Sequence, residues 1–136
     1  DAPNEALYPF GYGFSYTSFE YSDLELAQST LPLGEPVEVT VQLTNSGAYA
    51  GSEVAQLYIR DRVASTIRPL KELKGFQKVS LAAGEAQQLR FILGPDELGF
   101  YSGDGRFQIE PGNFDVFVGG SSVDTLQASF EWLEVE

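Results

Sequence analysis

The sequence predicts an all-β protein built as a two-sheet antiparallel β-sandwich. Apolar and polar residues alternate over short runs, almost every run is bounded by Gly, Pro or Asp, and only one stretch carries a helical signal. At 136 residues the chain suits one domain with one core. A closed barrel satisfies the same pattern and stands as the structural alternative.

Taken in order, the first feature is YPFGYGFSYTSFEY, from Tyr8 to Tyr21, which holds seven of the eighteen aromatic residues. Tyr8, Phe10, Tyr12, Phe14 and Tyr16 fall on alternate positions, but Pro9, Gly11 and Gly13 predict a bent segment rather than a plain strand. FEYSDLEL reads as the first strand. VEVTVQLTN puts Val37, Val39, Val41 and Leu43 on one face, and SEVAQLYIRD follows after SGAYAG, so these two are expected to form a hairpin. LKGFQKVSL is a strand with an irregular start that turns Phe76, Val79 and Leu81 inward. QLRFIL offers Leu89, Phe91 and Leu93 to the core, NFDVFVGG offers Phe114, Val116 and Val118, and ASFEWLEV offers Phe130 and Trp132. PDELGF is the helical turn, with Asp96 and Glu97 at its positive end. SGDGRF carries the Asp-Gly pair of a hairpin turn, and the acids around Asp104 lack the ligand series of a calcium loop. LPLGEPVEVTVQL and LAAGEAQQLRFIL echo one another fifty positions apart, as a Gly-Glu turn feeding a strand would.

Composition excludes several chemistries. With no Cys and no His, disulfides, thiolate zinc sites, Cys–His dyads and the Ser–His–Asp triad are all absent. A net charge of −12 argues against nucleic acid or anionic lipid as a partner. No apolar run approaches the roughly 18 residues of a membrane span. The opening DAPNEALYPF has no signal-peptide pattern, so the chain reads as a piece of a longer one. The charge is uneven. Arg60, Arg62, Arg68, Lys71, Lys74 and Lys78 are six of the eight bases, against only Asp61 and Glu72 in the same stretch. Such a stripe either docks an acidic neighbour or is a solvated face balancing nearby carboxylates.

Paired carboxylates could cleave a glycosidic bond, and Asp61, Asp96, Glu97, Asp104 and Glu110 lie where such groups would be accessible. No second element of a site accompanies them, and turn solubility explains them as well. Tyr49, Tyr58, Tyr101 and Trp132 are candidates for stacking on sugar rings, most of them expected to be core. RVASTIRPLKELKGFQKVSLAAGE is a long connection in which Arg68 is placed to fork onto a carboxylate or carbonyls.

Four blocks, YPFGYGFSYTSFEYSDL, NSGAYAGSEVAQLYIRD, RPLKELKGFQKVSLAAGE and EPGNFDVFVGGSS, resemble in order and spacing the C-terminal fibronectin type III-like domain of glycoside hydrolase family 3 enzymes, chiefly β-glucosidases. Phe14 stands where that family usually has Leu, and Phe107 where many members have Trp; both keep apolar bulk. The resemblance implies a connector over residues 1–18 and a fibronectin type III-like domain over residues 19–136. It implies a parent, β-glucosidase or β-xylosidase, that removes sugars from non-reducing ends with retention. The catalytic aspartate and glutamate would sit in a preceding barrel and α/β sandwich domain. No residue here matches those catalytic motifs, so no catalytic, cofactor or metal role is carried over. The implied partners are those two domains and, through them, an oligo- or disaccharide. Tyr8, Phe10, Tyr12, Phe14, Tyr16 and Arg68 are the expected interdomain docking residues, and the segment 61–70 is placed to approach the active-site side. A periplasmic or extracellular location is expected ahead of a cytoplasmic one. The competing readings are a carbohydrate-binding sandwich module, which needs a flat exposed aromatic row, and an adhesion sandwich, for which no repeat array is present.

Overall fold

The computed structural model describes residues 17–62 and 71–134. Ten strands and one helical turn follow in chain order: β1 Phe19–Leu26, β2 Thr30–Pro32, β3 Val37–Asn45, β4 Gly51–Asp61, β5 Glu72–Leu81, β6 Ala86–Leu93, α1 Pro95–Leu98, β7 Phe100–Tyr101, β8 Phe107–Gln108, β9 Gly112–Gly119 and β10 Thr125–Leu133. One sheet has the order β2-β10-β9-β4-β5 and the other β1-β3-β6, with β7 and β8 as a small separate hairpin. Among the described residues every pairing is antiparallel except β2 on β10. The two larger sheets remain distinct ladders, so the fold is a sandwich and not a barrel.

Period-2 alternation explains the core. Val37, Val39, Val41 and Leu43 of β3 and Leu89, Phe91 and Leu93 of β6 face Ala55, Leu57 and Ile59 of β4, Phe114, Val116 and Val118 of β9, and Phe130 and Trp132 of β10. The Phe114 ring stacks on Phe130 at 5.2 Å and meets Trp132 edge-on at 5.5 Å. The buried indole of Trp132 donates to the Glu35 carbonyl at 2.9 Å, which ties β10 to the turn before β3.

Three expectations are corrected. First, β3 and β4 do not pair; β3 lies between β1 and β6, and β4 between β9 and β5. Alternation says which face of a strand is buried, but two such strands can lie side by side or face each other across the core. The arrangement is decided by Asn45, fully buried, whose amide donates to the carbonyls of Tyr49 (2.8 Å) and Leu81 (3.0 Å). Its side-chain oxygen accepts from Thr17 Oγ1 (2.6 Å) and the Gly47 N–H (3.0 Å). A buried amide with all these bonds made holds the chain in an arch that carries it from one sheet to the other. Second, Phe76 points outward. β5 pairs with β4 without interruption from Leu81 to Gly75, so alternation gives the inward set Gln77, Val79 and Leu81, with Gln77 donating to the Arg90 carbonyl, and the register shift falls earlier, between Leu73 and Gly75. Third, of the four stacking candidates only Trp132 is core; Tyr58 is half-buried, and Tyr49 and Tyr101 are exposed.

The internal echo resolves into one turn used twice. Glu35 N donates to Pro32 O and Glu85 N to Ala82 O, with Gly34 and Gly84 at φ +92° and +78°, where glycine is favoured. The two turns feed β3 and β6, which pair with each other. PDEL forms α1 with Pro95 at its start, and Glu97 accepts the Gly94 N–H at 2.7 Å. SGDGRF closes the β7–β8 hairpin, with Gly105 at φ +86°.

Candidate docking face

The expected docking residues Tyr8, Phe10, Tyr12, Phe14, Tyr16 and Arg68 lie outside the described residues, as does most of segment 61–70. The described residues nevertheless bring together much of the basic stripe. Outward-facing positions of β4 are Val54, Gln56, Tyr58 and Arg60, and across the ladder β9 presents Asp115 and Phe117 on the same side. Arg62 follows just beyond the strand.

Asp115 is 1% exposed although it lies on the outer side of its sheet. Arg60 donates to its Oδ2 from Nε (3.1 Å) and Nη2 (2.9 Å). Arg62 donates to Oδ1 from Nε (3.0 Å) and Nη2 (2.7 Å), and Ser129 Oγ adds a bond of 2.8 Å to Oδ1. Burial alone would raise the Asp115 pKa, but the hydrogen bonds from Arg62, Ser129 and Arg60 outweigh it and hold the carboxyl down at about 2. The same bonds push the Arg62 guanidinium up. The cluster cross-links β4, β9 and β10 at the point where the chain leaves β4. Lys71 Nζ, at 4.1 Å, and the Arg60 guanidinium, at 5.2 Å, both stand over the Phe117 ring, while Lys71 also donates to the Ser122 carbonyl. Two of the stripe's bases thus balance a carboxylate that sequence reasoning passed over. Its only signal was an acid between Phe114 and Val116 in an otherwise apolar strand.

Beside this anchor the face turns apolar. Val54, Leu73 and Phe76 are 41%, 49% and 67% exposed, and the register sets Val54 opposite Lys78, Phe76 opposite Gln56 and Leu73 opposite Tyr58.

A second feature lies between the sheets. A recess of about 380 Å³ is lined by Phe19, Glu20 and Tyr21 of β1, Glu53 of β4, and residues of the β9–β10 turn including Asp124. Tyr21 Oη donates to Glu53 at 2.9 Å, a bond that bridges the two sheets. Burial pushes the Tyr21 hydroxyl up and, with it, the Glu53 carboxyl, despite the hydrogen bond that pulls Glu53 the other way. A Cβ at Gly120 would stand 2.6 Å from Glu53 Oε2, so glycine there keeps room for the carboxylate. Sequence reading missed this pair because its partners are 32 residues apart on different sheets.

Two of the sequence's carboxylate candidates serve local structure. Glu97 closes the start of α1, and Asp104 accepts from Ser102, Arg106 N–H and Arg106 Nε within its turn. Among the described residues no group of three or more acids is placed to hold a metal. The exposed aromatics Tyr49, Phe76, Tyr101 and Phe107 are spread over the β3–β4 arch, β5 and the β7–β8 hairpin.

A two-sheet sandwich in which, among the described residues, one deeply buried charge ties neighbouring strands, with Val54, Leu73 and Phe76 exposed beside that tie, is an immunoglobulin-like module. The model of the fibronectin type III-like domain matches residues 53–122, and the chain belongs to that family. It is 42% identical over 133 residues to the periplasmic β-glucosidase of Salmonella typhimurium, covering 98% of this chain and 17% of that protein. It is 44% identical over 125 residues to a putative β-xylosidase of Formosa agariphila, covering 92% and 16%. The crystal structure of a β-glucosidase from Listeria innocua in complex with gluconolactone superposes with a TM-score of 0.81 at 45% identity, over 97% of this chain and 18% of that one. The resemblance to the C-terminal domain of family 3 glycoside hydrolases therefore holds. The chain spans less than one fifth of these relatives.

Proposed function

We propose that this chain is the non-catalytic C-terminal accessory domain of a longer polypeptide, a retaining, exo-acting β-glycosidase that hydrolyses terminal non-reducing β-D-glucosyl residues. Its work is to brace a catalytic barrel and an α/β sandwich domain that precede it. One observation carries the reading: relatives matched over nearly all of this chain are β-glucosidases and β-xylosidases of which it spans about 17%. The chemistry of the described residues is in keeping with it. Asp115 is saturated by two guanidiniums and a hydroxyl, an arrangement that locks strands and holds that carboxylate ionised rather than poised to transfer a proton. The connector residues Tyr8, Phe10, Tyr12, Phe14 and Tyr16, together with Arg68, supply further docking contacts in this proposal, and the segment 61–70 faces the active-site side. A periplasmic or extracellular location follows the pattern of the Salmonella relative; among the described residues no helix is long and apolar enough to cross a membrane.

The test is removal of residues 17–136 from the longer polypeptide. The expected result is a large loss of soluble yield and thermal stability, because apolar interdomain surface is bared. Unchanged stability and β-glucosidase activity after removal would end the bracing reading. Saturable binding of cellulose oligomers or xylan to the separate chain would favour a carbohydrate-binding module in its place.

A further inference from the structure

We propose that the outer face of the five-stranded sheet over β4 and β5 is the docking surface itself, and that its occupant is an acidic face on the preceding part of the same polypeptide. The inference rests on the accessory-domain reading and gives that reading a location. It starts from Phe76, which the β4–β5 register turns outward and leaves 67% exposed on an edge strand, with Leu73 and Val54 on the same side. Three large apolar residues beside Tyr58 form a patch that a solvated face has no reason to hold.

Charge selects the occupant. Among the described residues Arg60 and Lys78 lie on this face and Lys71 Nζ stands over its Phe117 ring, while Asp115, the acid opposite Arg60, is already saturated, and Glu72, opposite buried Ile59, is paired with Lys74. Outside residues 60–78 the chain carries only two bases against all but two of its twenty acids. A positive, apolar face on a strongly negative body complements an acidic surface. A second copy of the chain fits poorly. Two-fold pairing would set cation against cation, and head-to-tail pairing of basic face on acidic body would not close. An anionic membrane would be repelled by the body. The remaining partner of the right sign and proximity is the polypeptide to which such a domain is joined, more than four fifths of the length of each relative.

The experiment places Phe76→Glu with Lys78→Glu in the longer polypeptide, and compares it with Gln42→Glu and Ile92→Glu on the opposite sheet. Both pairs lie at outward-facing positions, so each fits the fold. The β5 pair is expected to lower the thermal midpoint of the full polypeptide by roughly 3 °C or more and to make the linker susceptible to protease. The same pair is expected to leave the separate 136-residue chain unchanged and monomeric. The β3/β6 pair is expected to do neither. Equal midpoints for the two pairs in the full polypeptide would overturn the proposal. So would an oligomer of the wild-type chain that the β5 pair dissolves, which would assign the face to a second copy, or binding to phosphatidylserine vesicles that the β5 pair abolishes. If removing residues 17–136 is harmful but the β5 pair is silent, the face is wrong and the bracing reading survives. If removal is harmless, the bracing reading fails first.

Discussion

The two outer faces of the sandwich are built on different rules. That of the three-stranded sheet carries Glu38, Thr40, Gln42 and Thr44 on β3 and Gln88 and Arg90 on β6, with Ile92 its one large exposed apolar side chain among the described residues. Its ion pair, Glu38 with Arg90, sits at the surface with both side chains substantially exposed. That of the five-stranded sheet carries a buried carboxylate under two arginines, a phenylalanine with two cations over its ring, and, on β4 and β5, three exposed apolar side chains. The core between the sheets needs only their inner faces. The first outer face is therefore what water asks of a sheet, and the second is, in the proposal made above, what a partner asks of one.

The largest expected effect tests the anchor. Asp115→Asn keeps the shape but removes the charge that Arg60 and Arg62 share, and sets an amide NH2 against one of the two sets of donors that the carboxylate oxygens satisfied. Breaking a buried pair in this way typically costs 3–5 kcal/mol, and since the arginines are 38% and 48% exposed and can rehydrate, a loss of about 3 kcal/mol is expected. Urea unfolding of the two proteins measures it. A loss below about 1 kcal/mol would place this cluster on a level with the surface pair of the other sheet.

The next effect is graded with pH. The folded Asp115 carboxyl is held at about 2, below its ordinary 3.8. Its contribution is thus complete above about pH 4 and is lost as pH falls through about 2, because the unfolded state takes up the proton first. Wild type should lose stability over that interval and Asp115→Asn should lose less. Glu53, raised by burial, acts with the opposite sign: stability is gained as pH falls through its raised value toward 4.5, and Glu53→Gln should flatten that limb. Acid titrations of the unfolding midpoint separate the two.

How much of this was legible in the sequence follows from the range of each signal. Strand identity and inner faces were readable because alternation is local: Val37, Val39, Val41 and Leu43 had to share a side whatever they packed against. Pairing was not, since Asn45 decides it through bonds to Thr17 and Leu81, distant in sequence. Phe76 was misplaced because the irregular start of the strand lies before it, between Leu73 and Gly75, and not between it and Val79, so unbroken alternation from Leu81 to Gly75 turns it outward. The basic stripe was visible as composition, but its division into anchoring arginines and bordering lysines depends on Asp115, 53 residues beyond Arg62. A site made of residues brought together across sheets leaves almost no trace in any one segment.

The smallest expected effect is the sharpest check on the comparison. Glu38→Gln removes the acid from the surface pair with Arg90, and both groups remain open to water in the folded and unfolded chain alike. Exposed pairs of this kind contribute little, because Coulomb attraction at high dielectric barely exceeds the entropy of holding two long side chains together. A change of no more than about 0.5 kcal/mol is expected, fading as salt is raised. Neutralising an acid on a chain of net charge −12 also relieves repulsion, so the change can fall on either side of zero. A loss approaching that of Asp115→Asn would mean that the Glu38–Arg90 pair holds β3 to β6 as Asp115 holds β4 to β9, and the contrast between a solvated face and a prepared one would disappear.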